Sequence, residues 1–163
     1  MAKISKIRPC LWFDGNGEEA AKFYCSIFPH SKITGVSRYV AEGQETHGQK
    51  PGSVMVVMFD LDGQSFMALN GGPHFKFNEA VSLMVSCDTQ SELDRYWNAL
   101  SADPAAEVCG WCKDKFGLSW QIVPSVMDEM LTQGSEAQRN RVMRVVMASK
   151  KLDIAKFEEA YHG

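Results

Sequence analysis

The chain has 163 residues, a formal net charge of −3, 45% hydrophobic residues and five cysteines. This length suits one compact core, so we expect a single domain over residues 1–163, and the charge gives no reason to bind nucleic acid or an anionic membrane. No apolar run approaches the ~18 residues of a membrane span, residues 1–8 lack the apolar core of a signal peptide, and the cysteines have no disulfide-framework spacing, so we expect a cytoplasmic protein with reduced thiols.

Strands dominate the first half of the predicted structure. The apolar patterns predict, in chain order, a strand over 5–13, a helix from Asn16 to before Pro29, a strand over 32–40 and a loop over 41–52. A nearly continuous apolar strand over 54–61 follows. Asp62-Gly63 indicates a type I′ turn that returns the chain as an antiparallel strand over 64–70.

The second half begins near Ala80 with another strand and a helix. Thr89 and Glu92 form a predicted capping box at the helix start. After Asp103-Pro104, the segments 108–112 and 118–123 are predicted to form a hairpin. This half is shorter, so we expect the counterpart of the strand at 32–40 to be a stub or missing.

Beyond Pro124 the pattern predicts helices only. Ser125 is a candidate cap for a short helix, Ser135 with Gln138 for one that reaches about Ala148, and Asp153 for the last. The longest of these helices has an apolar stripe formed by Val142, Met143 and Val146. A stripe of this kind needs a sheet or a second subunit to cover it, so we expect a homodimer.

The two halves repeat each other. Their helix faces have the same spacing, 73 residues apart (93 − 20 = 73), and consist of Ala20, Phe23, Tyr24 and Ile27 in the first half and Leu93, Tyr96, Trp97 and Leu100 in the second. The repeat predicts an α+β fold of two modules, over about 5–72 and 79–124, with a cleft between them. Residues 125–163 form a helical tail outside the repeat.

Alternation along the strands predicts which side chains the helices leave uncovered. Leu118, Trp120 and Ile122 form an apolar set that should pack under a helix, and Val81, Leu83 and Val85 should do the same. Trp12 is also expected on the helix-facing side. The remaining face mixes neutral polar and apolar groups, which suits a small, largely apolar organic ligand. Its predicted ligand-binding residues are Phe13, Phe66, Asn70, Ser82, Met84, Ser119 and Gln121.

Titratable groups are few near this predicted cleft. His74 follows Gly71-Gly72-Pro73 and is the best candidate, and acid–base chemistry would need Asp114 or Glu79 to approach it. His74, Asp114 and Gln121 are therefore weak catalytic candidates. Cys109 and Cys112 form a CxxC that leads into a strand rather than a helix, which favours an ordinary structural role over redox or zinc chemistry.

Three segments of the chain resemble a known family. The runs LWFDGNGEEAAKFYCSIFPHS at 11–31, GWCKDKFGLSWQIVP at 110–124 and KKLDIAKFEEAY at 150–161 resemble the 3-demethylubiquinone-9 3-methyltransferase-like domain family. That family is similar to the vicinal oxygen chelate superfamily, which includes glyoxalase, extradiol dioxygenases and antibiotic-resistance proteins. The resemblance implies two tandem βαβββ modules that form a curved sheet around a cleft, commonly in a homodimer.

Catalytic members of that superfamily hold a metal ion with His and Glu on the first and last strands of each module. Carried over through the matching segments, those places are Pro9, Ala68, Ser82 and Gln121 here. Proline and alanine offer no ligand atom, serine is a poor ligand for a divalent ion and a lone amide is weak. The resemblance therefore implies no metal at the usual site, and we expect no cofactor.

The methyltransferase label also conflicts with the predicted elements. Gly15, Gly17 and Ala20 form a GxGxxA between a strand and a helix, but Glu18 and Glu19 would repel a pyrophosphate there, and the following strands form an antiparallel hairpin. We expect a small-molecule binding protein that is not a methyltransferase. The alternatives are an enzyme of the same fold with a shifted metal site or acid–base residues, and a structural dimer with a filled cleft.

Overall fold

The structure is a computed structural model, and it describes residues 6–163. The chain divides into two compact units, Met1–Lys76 and Phe77–Gly163. The boundary falls between the two predicted modules, and the helical tail belongs to the second unit. The fold is mixed α+β with a four-stranded and a three-stranded sheet, as the sequence predicts. The single-domain assignment stays a prediction.

The first unit has the predicted βαβββ order. Its elements are β1 (Cys10–Phe13), α1 (Gly17–Ile27), β2 (Lys32–Arg38), α2 (Gln44–His47), β3 (Val54–Leu61) and β4 (Gln64–Asn70). The strands lie in the order β1-β4-β3-β2, with β1 parallel to β4 and the other pairs antiparallel. The predicted first strand began at residue 5, which lies outside the described residues, whereas β1 starts only at Cys10.

The predicted hairpin is present, whereas the predicted loop contains a helix that the sequence did not indicate. Asp62 and Gly63 have φ of 45° and 80°, the left-handed pair that a type I′ turn requires, and Leu61 pairs with Gln64 across it. The loop prediction for 41–52 is incomplete, because it contains the short helix α2. Left-handed glycines, Gly43 and Gly48, flank that helix at both ends.

The second unit is shorter in strands and longer in helices. Its elements are β5 (Ser82–Cys87), α3 (Gln90–Leu100), a 3₁₀ turn (Pro104–Ala106), β6 (Trp111–Lys113), β7 (Ser119–Pro124), α4 (Met127–Gln133), α5 (Glu136–Ala148) and α6 (Ile154–His162). The sheet order is β5-β7-β6, with β5 parallel and β6 antiparallel to β7. The expected stub is confirmed: only an isolated bridge from Val108 to Trp111 stands where the first sheet has β2.

Helix α3 buries the apolar face that the repeat predicts. Leu93, Tyr96 and Leu100 are at most 4% exposed. Thr89 Oγ1 accepts a hydrogen bond from the amide of Glu92, but the Glu92 carboxylate accepts from Asp88 rather than from the cap itself. Val81 was expected to pack and is 67% exposed, because β5 begins only at Ser82.

The tail folds as helices with one shifted start. The capping box of Ser135 and Gln138 is present and α5 ends at Ala148, as predicted. Ser125 does not cap α4, which begins two residues later without a side-chain cap. The α5 stripe buries Val142 and Val146 but leaves Met143 39% exposed. None of the helices within residues 6–163 has the length and hydropathy that crossing a membrane requires.

Candidate functional site

The helix-free face of the second sheet brings together four of the predicted ligand-binding residues. In the parallel pair of β5 and β7, Ser82 lies opposite Ser119 and Met84 lies opposite Gln121. The opposite face carries Trp120 and Ile122, which are 2% and 0% exposed. The structure thus places Ser82, Met84, Ser119 and Gln121 as the alternation predicts, while their ligand-binding role stays a prediction.

Two of these residues bind each other. The Gln121 side-chain nitrogen donates to Ser82 Oγ at 2.9 Å, and Met84 beside them is 50% exposed. Strand β6 adds Trp111 opposite Gln121 and Lys113 opposite Ser119 on the same face. The face therefore combines a neutral amide–hydroxyl pair, an aromatic ring and one ammonium group.

A pocket of about 480 Å³ lies against the β6 side of this face. Its lining residues are Glu79, Ala105, Ala106, Val108, Cys109, Trp111, Cys112, Lys113 and Ser119. Most of these side chains are apolar, and the pocket has the size of a typical small-molecule site. Among residues 6–163, the Ser119 hydroxyl is the only buried side-chain oxygen or nitrogen without a hydrogen-bond partner.

An unpartnered buried hydroxyl is costly, since removing a polar group from water without a new partner costs about 1–3 kcal/mol. Ser119 is 1% exposed and lines the pocket. Ser119 therefore gives the pocket lining a hydrogen-bonding group that has no partner within residues 6–163.

In the first sheet the predicted strand face is wrong. A Cβ added to Gly17 at the start of α1 would lie 2.8 Å from Asn70 Oδ1 and 3.4 Å from the ring of Phe13. The Phe66 ring stacks on Phe59, which stacks on Tyr24 of α1. Phe13, Phe66 and Asn70 therefore face the helix, and their proposed ligand-binding role loses its basis.

Asn70 instead ties the helix to the sheet. Its side-chain oxygen accepts from the Gly17 amide at 2.8 Å, and its side-chain nitrogen donates to the Val54 carbonyl at 3.0 Å. Its own carbonyl accepts from the Tyr39 hydroxyl at 2.7 Å. With 4% exposure, this amide is fully used in holding the unit together.

The error has a local cause. The connection from β1 to α1 is Asp14, Gly15 and Asn16, whereas that from β5 to α3 is only Asp88 and Thr89. The helices therefore repeat at a spacing of 73 residues, whereas the strands repeat at a spacing one residue longer. Applying the helix spacing to the strands shifts β1 by one residue, and a shift of one residue exchanges the two faces of a strand.

Trp12 was expected to face the helix and does not. It alternates with Leu11 and Phe13, which are 7% and 3% exposed on the α1 side. The Trp12 indole nitrogen donates to the Gly72 carbonyl at 2.8 Å, and its ring meets the edge of Phe75 at 4.8 Å.

The catalytic candidates His74 and Asp114 belong to different units. His74 is exposed in a loop of the first unit. Asp114 is 3% exposed and accepts hydrogen bonds from the Phe116 and Leu118 amides and from the Trp120 indole, at 2.8, 3.1 and 2.8 Å. Asp114 thus organises the turn between β6 and β7, which is a structural role.

The CxxC also serves the packing of the second unit. Cys109 has a φ of 53° and its amide donates to the Ser149 carbonyl, so it lies in a loop held by the end of α5. Cys112 is 1% exposed, and burial raises the pKa of its thiol to about 12, with a smaller contribution from Asp114. A thiol of this kind stays protonated and unreactive at neutral pH.

The residues that the sequence resemblance places at metal positions do not fit a divalent ion. Ser82 and Gln121 bond to each other, and Ala68 is fully buried against α1. Cys10 pairs with Met67 as Met84 pairs with Gln121, so the counterpart of Gln121 in the first sheet is Met67, and the residue two positions before Cys10 is Arg8. A guanidinium cannot ligate a cation, and a thioether suits only soft metals.

Within residues 6–163, no three His, Cys, Asp or Glu side chains lie close enough together to hold a metal ion.

Sequence reasoning missed the pocket itself. Trp111 and Lys113 lie two residues apart on a strand, so their spacing alone predicts that they share a face. The other side of the pocket, formed by Ala105 and Ala106, cannot be predicted from the sequence, because these residues reach the sheet through contacts between distant parts of the chain. The amide of Ala102 donates to the Lys113 carbonyl at 2.8 Å and thereby fixes the 3₁₀ turn beside β6.

Comparisons with known proteins agree with this architecture. A model of the 3-demethylubiquinone-9 3-methyltransferase family matches residues 5–123. A structure from Bacillus cereus, described as a 3-demethylubiquinone-9 3-methyltransferase and PhnB protein, is 36% identical, covers 74% of this chain and 98% of its own, and superposes with a TM-score of 0.60. Protein PA1353 from Pseudomonas aeruginosa is 20% identical over 74% of this chain and 96% of its own, with a TM-score of 0.52, which shows a shared fold.

Curated proteins give no significant match. The family model covers well over half of the chain, and the Bacillus cereus protein is similar over nearly its whole length. The chain therefore belongs to the 3-demethylubiquinone-9 3-methyltransferase family and is related to PhnB-like proteins.

Proposed function

We propose that this protein binds a small, mainly apolar organic molecule on the helix-free face of its second sheet, without a divalent metal. The observation that carries the proposal is the pocket of about 480 Å³ with the unpartnered Ser119 hydroxyl among apolar side chains. Pockets of this size, with few polar groups among apolar walls, are typical of small-ligand sites.

The chemistry of the sheet face supports the absence of a metal. A hydrogen bond between Ser82 and Gln121 satisfies both side chains without a cation. Met67 holds a matching position of the first sheet by strand register, and Arg8 lies two residues before the first paired residue of β1, Cys10. Neither pair offers the carboxylate and imidazole ligands that the superfamily's metal chemistry needs.

The helix that follows the glycine-containing turn supports a function other than methyl transfer. Adenosyl-methionine and dinucleotide sites use open amides at such a helix start on a parallel sheet. Here the Gly17 amide donates to Asn70, and β2, β3 and β4 are antiparallel. The family name therefore describes this chain's relatives, and we propose no methyltransferase activity for it.

We also propose that the protein is a cytoplasmic homodimer. All five cysteines are free thiols, which suits a reducing compartment. Exposed methionines on α5, Met143 and Met147, leave apolar surface that a second copy could cover.

A pocket-filling variant tests the binding proposal. Thermal shifts would be measured with a panel of small aromatic and aliphatic compounds, for the wild type, for Ala106→Trp, which places a ring in the pocket, and for Ala102→Trp as the control. Ala102 is exposed and does not line the pocket. We expect stabilising compounds to act on the wild type and the control and to lose their effect on Ala106→Trp.

Metal analysis is the second test of the binding proposal. Protein purified without a chelator is expected to carry far less than one equivalent of Zn, Mn, Fe or Ni. A stoichiometric metal, or compounds that stabilise all three proteins equally, would contradict the proposal.

A further inference from the structure

One charged pair lines the pocket. Lys113 Nζ lies 2.5 Å from Glu79 Oε1, and both residues belong to the lining. The Lys113 side chain is 26% exposed and the Glu79 side chain 62%. The hydrogen bond to Lys113 lowers the pKa of Glu79 and raises that of the lysine, so both groups are charged at neutral pH.

The two partners are held unequally. Lys113 belongs to β6 and pairs with Ser119, so the sheet fixes its backbone. Glu79 lies in a turn before β5, with an exposed side chain. Because exposed ion pairs contribute only about 0–1 kcal/mol, another carboxylate could replace Glu79 on Lys113 at little cost.

A second polar group stands next to this lysine. Ser119 lies directly opposite Lys113 in the antiparallel register, so their side chains share a face, with Cβ atoms about 4.5–5.5 Å apart. The Ser119 hydroxyl has no partner within the described residues. An ammonium and a hydroxyl on neighbouring residues of one sheet face are both donors, and each can donate to one oxygen of a shared carboxylate group.

The rest of the lining is apolar. Trp111 shares the face of Ser119 and Lys113, and Val108, Ala105 and Ala106 line the same pocket. A planar or aliphatic hydrocarbon body would bury apolar area against these side chains, at about 25 cal/mol per Å².

We propose that the pocket binds a small monocarboxylic acid with an aromatic or aliphatic body, whose carboxylate displaces Glu79 from Lys113 and accepts a hydrogen bond from Ser119. The body lies against Trp111 and Val108. This inference rests on the proposed function and adds the chemical class of the ligand.

The test compares a carboxylate with its neutral counterpart. Calorimetric titrations at low salt would use 2-naphthoate and 2-naphthamide, which share one ring system and differ in charge. We expect the wild type to bind 2-naphthoate about 10-fold more tightly than the amide, as charge-assisted hydrogen bonds to a partly buried ammonium imply. In Lys113→Met the preference for 2-naphthoate over 2-naphthamide disappears. In Ser119→Ala this preference weakens about 3- to 10-fold.

Glu79→Gln is the most discriminating variant. It removes the competing carboxylate, so the affinity for 2-naphthoate should rise about 3- to 10-fold while that for 2-naphthamide stays the same. Glu42→Gln makes the same charge change at an exposed residue outside the pocket and should change neither affinity. Since Glu79 is exposed in a turn, folding does not limit this variant.

The outcomes separate the two proposals. If both probes bind the wild type equally and both are lost in Ala106→Trp, the carboxylate inference fails and the proposed small-molecule function stands. An unchanged 2-naphthoate affinity in Glu79→Gln also overturns the inference. If neither probe binds and no compound gives a thermal shift that depends on Ala106, both proposals fail.

Discussion

Single polar side chains fix the turns of this protein from inside. The Asp114 carboxylate accepts two backbone hydrogen bonds and one from the Trp120 indole, although it is 3% exposed. Asn70 does the equivalent in the first unit, between α1 and β3. Both residues were candidates for ligand binding or catalysis, and burial with full hydrogen bonding gives them a structural role instead.

Replacing Asp114 should lower stability sharply. Asp114→Ala removes the acceptor of three hydrogen bonds, two of them buried, so we expect the free energy of unfolding to fall by about 2–4 kcal/mol in urea denaturation. Asp114→Asn keeps one oxygen but places an amide near the indole donor, and should cost less.

Asp128→Ala is the matched control, since Asp128 is exposed on α4 and its loss should cost well under 1 kcal/mol. A stable Asp114→Ala protein would contradict the structural role.

The buried thiol of Cys112 should make the protein sensitive to alkali. Its pKa is about 12 in the folded chain and 9.0 in the unfolded reference, so stability present below pH 9 is lost as the pH rises toward 12. From roughly pH 8.5 to 10.5 the wild type should lose about 1–2 kcal/mol more unfolding free energy than Cys112→Ala. Chemical denaturation at several pH values measures this, and parallel pH profiles would refute it.

Among the elements, the two C-terminal helices are joined by an arginine that makes two hydrogen bonds between them. Arg141 of α5 donates from Nε to the Ala160 carbonyl at 2.6 Å and from Nη2 to the Tyr161 carbonyl at 2.9 Å. These carbonyls lie in the last turn of α6, where intrahelical partners are missing and positive charge is favoured. Arg141 therefore both caps α6 and attaches it to α5.

Arg141→Gln should loosen α6 before it affects the sheets. We expect amide exchange in residues 154–162 to become faster, with a loss of about 1 kcal/mol in the local opening free energy. Arg144→Gln is the control, because Arg144 is exposed on the same helix. Unchanged exchange in α6, or equal effects of the two variants, would show that Arg141 does not hold this helix.

The sequence predicts the elements better than it predicts which way their side chains point. The bounds of β3 and β4 follow from the apolar run and the Asp62-Gly63 turn, which are local signals. The face of β1 depends on the length of its connection to α1, and the pocket depends on a turn that reaches β6 from outside the strand. Local patterns cannot specify either feature, because both come from contacts between distant residues.

For the whole molecule, the proposed homodimer rests on apolar surface that one copy of the chain leaves exposed. Met147 is 68% exposed and lies one turn after Met143, and Val108 is 55% exposed in the same unit. Met147 Sδ also lies 3.9 Å from Cys109 Sγ, so this surface is close to the pocket lining. Exposed apolar side chains of this density favour association between copies.

Sedimentation at micromolar concentration should therefore give about twice the chain mass of 18.2 kDa. Met147→Glu would place a charge in the proposed interface and should shift the equilibrium toward the monomer, whereas Lys156→Glu on α6 should leave it unchanged. A wild-type species of 18.2 kDa would refute the homodimer.

The extra residue in the link between β1 and α1 limits how the two halves could be recombined. Consider a chimera in which β1 replaces β5 and the residues are matched by the spacing of the helices. The core side chains of β1 would then point to the solvent, and its outer side chains would point to the core. Only a transplant that carries its own link would keep both surfaces intact.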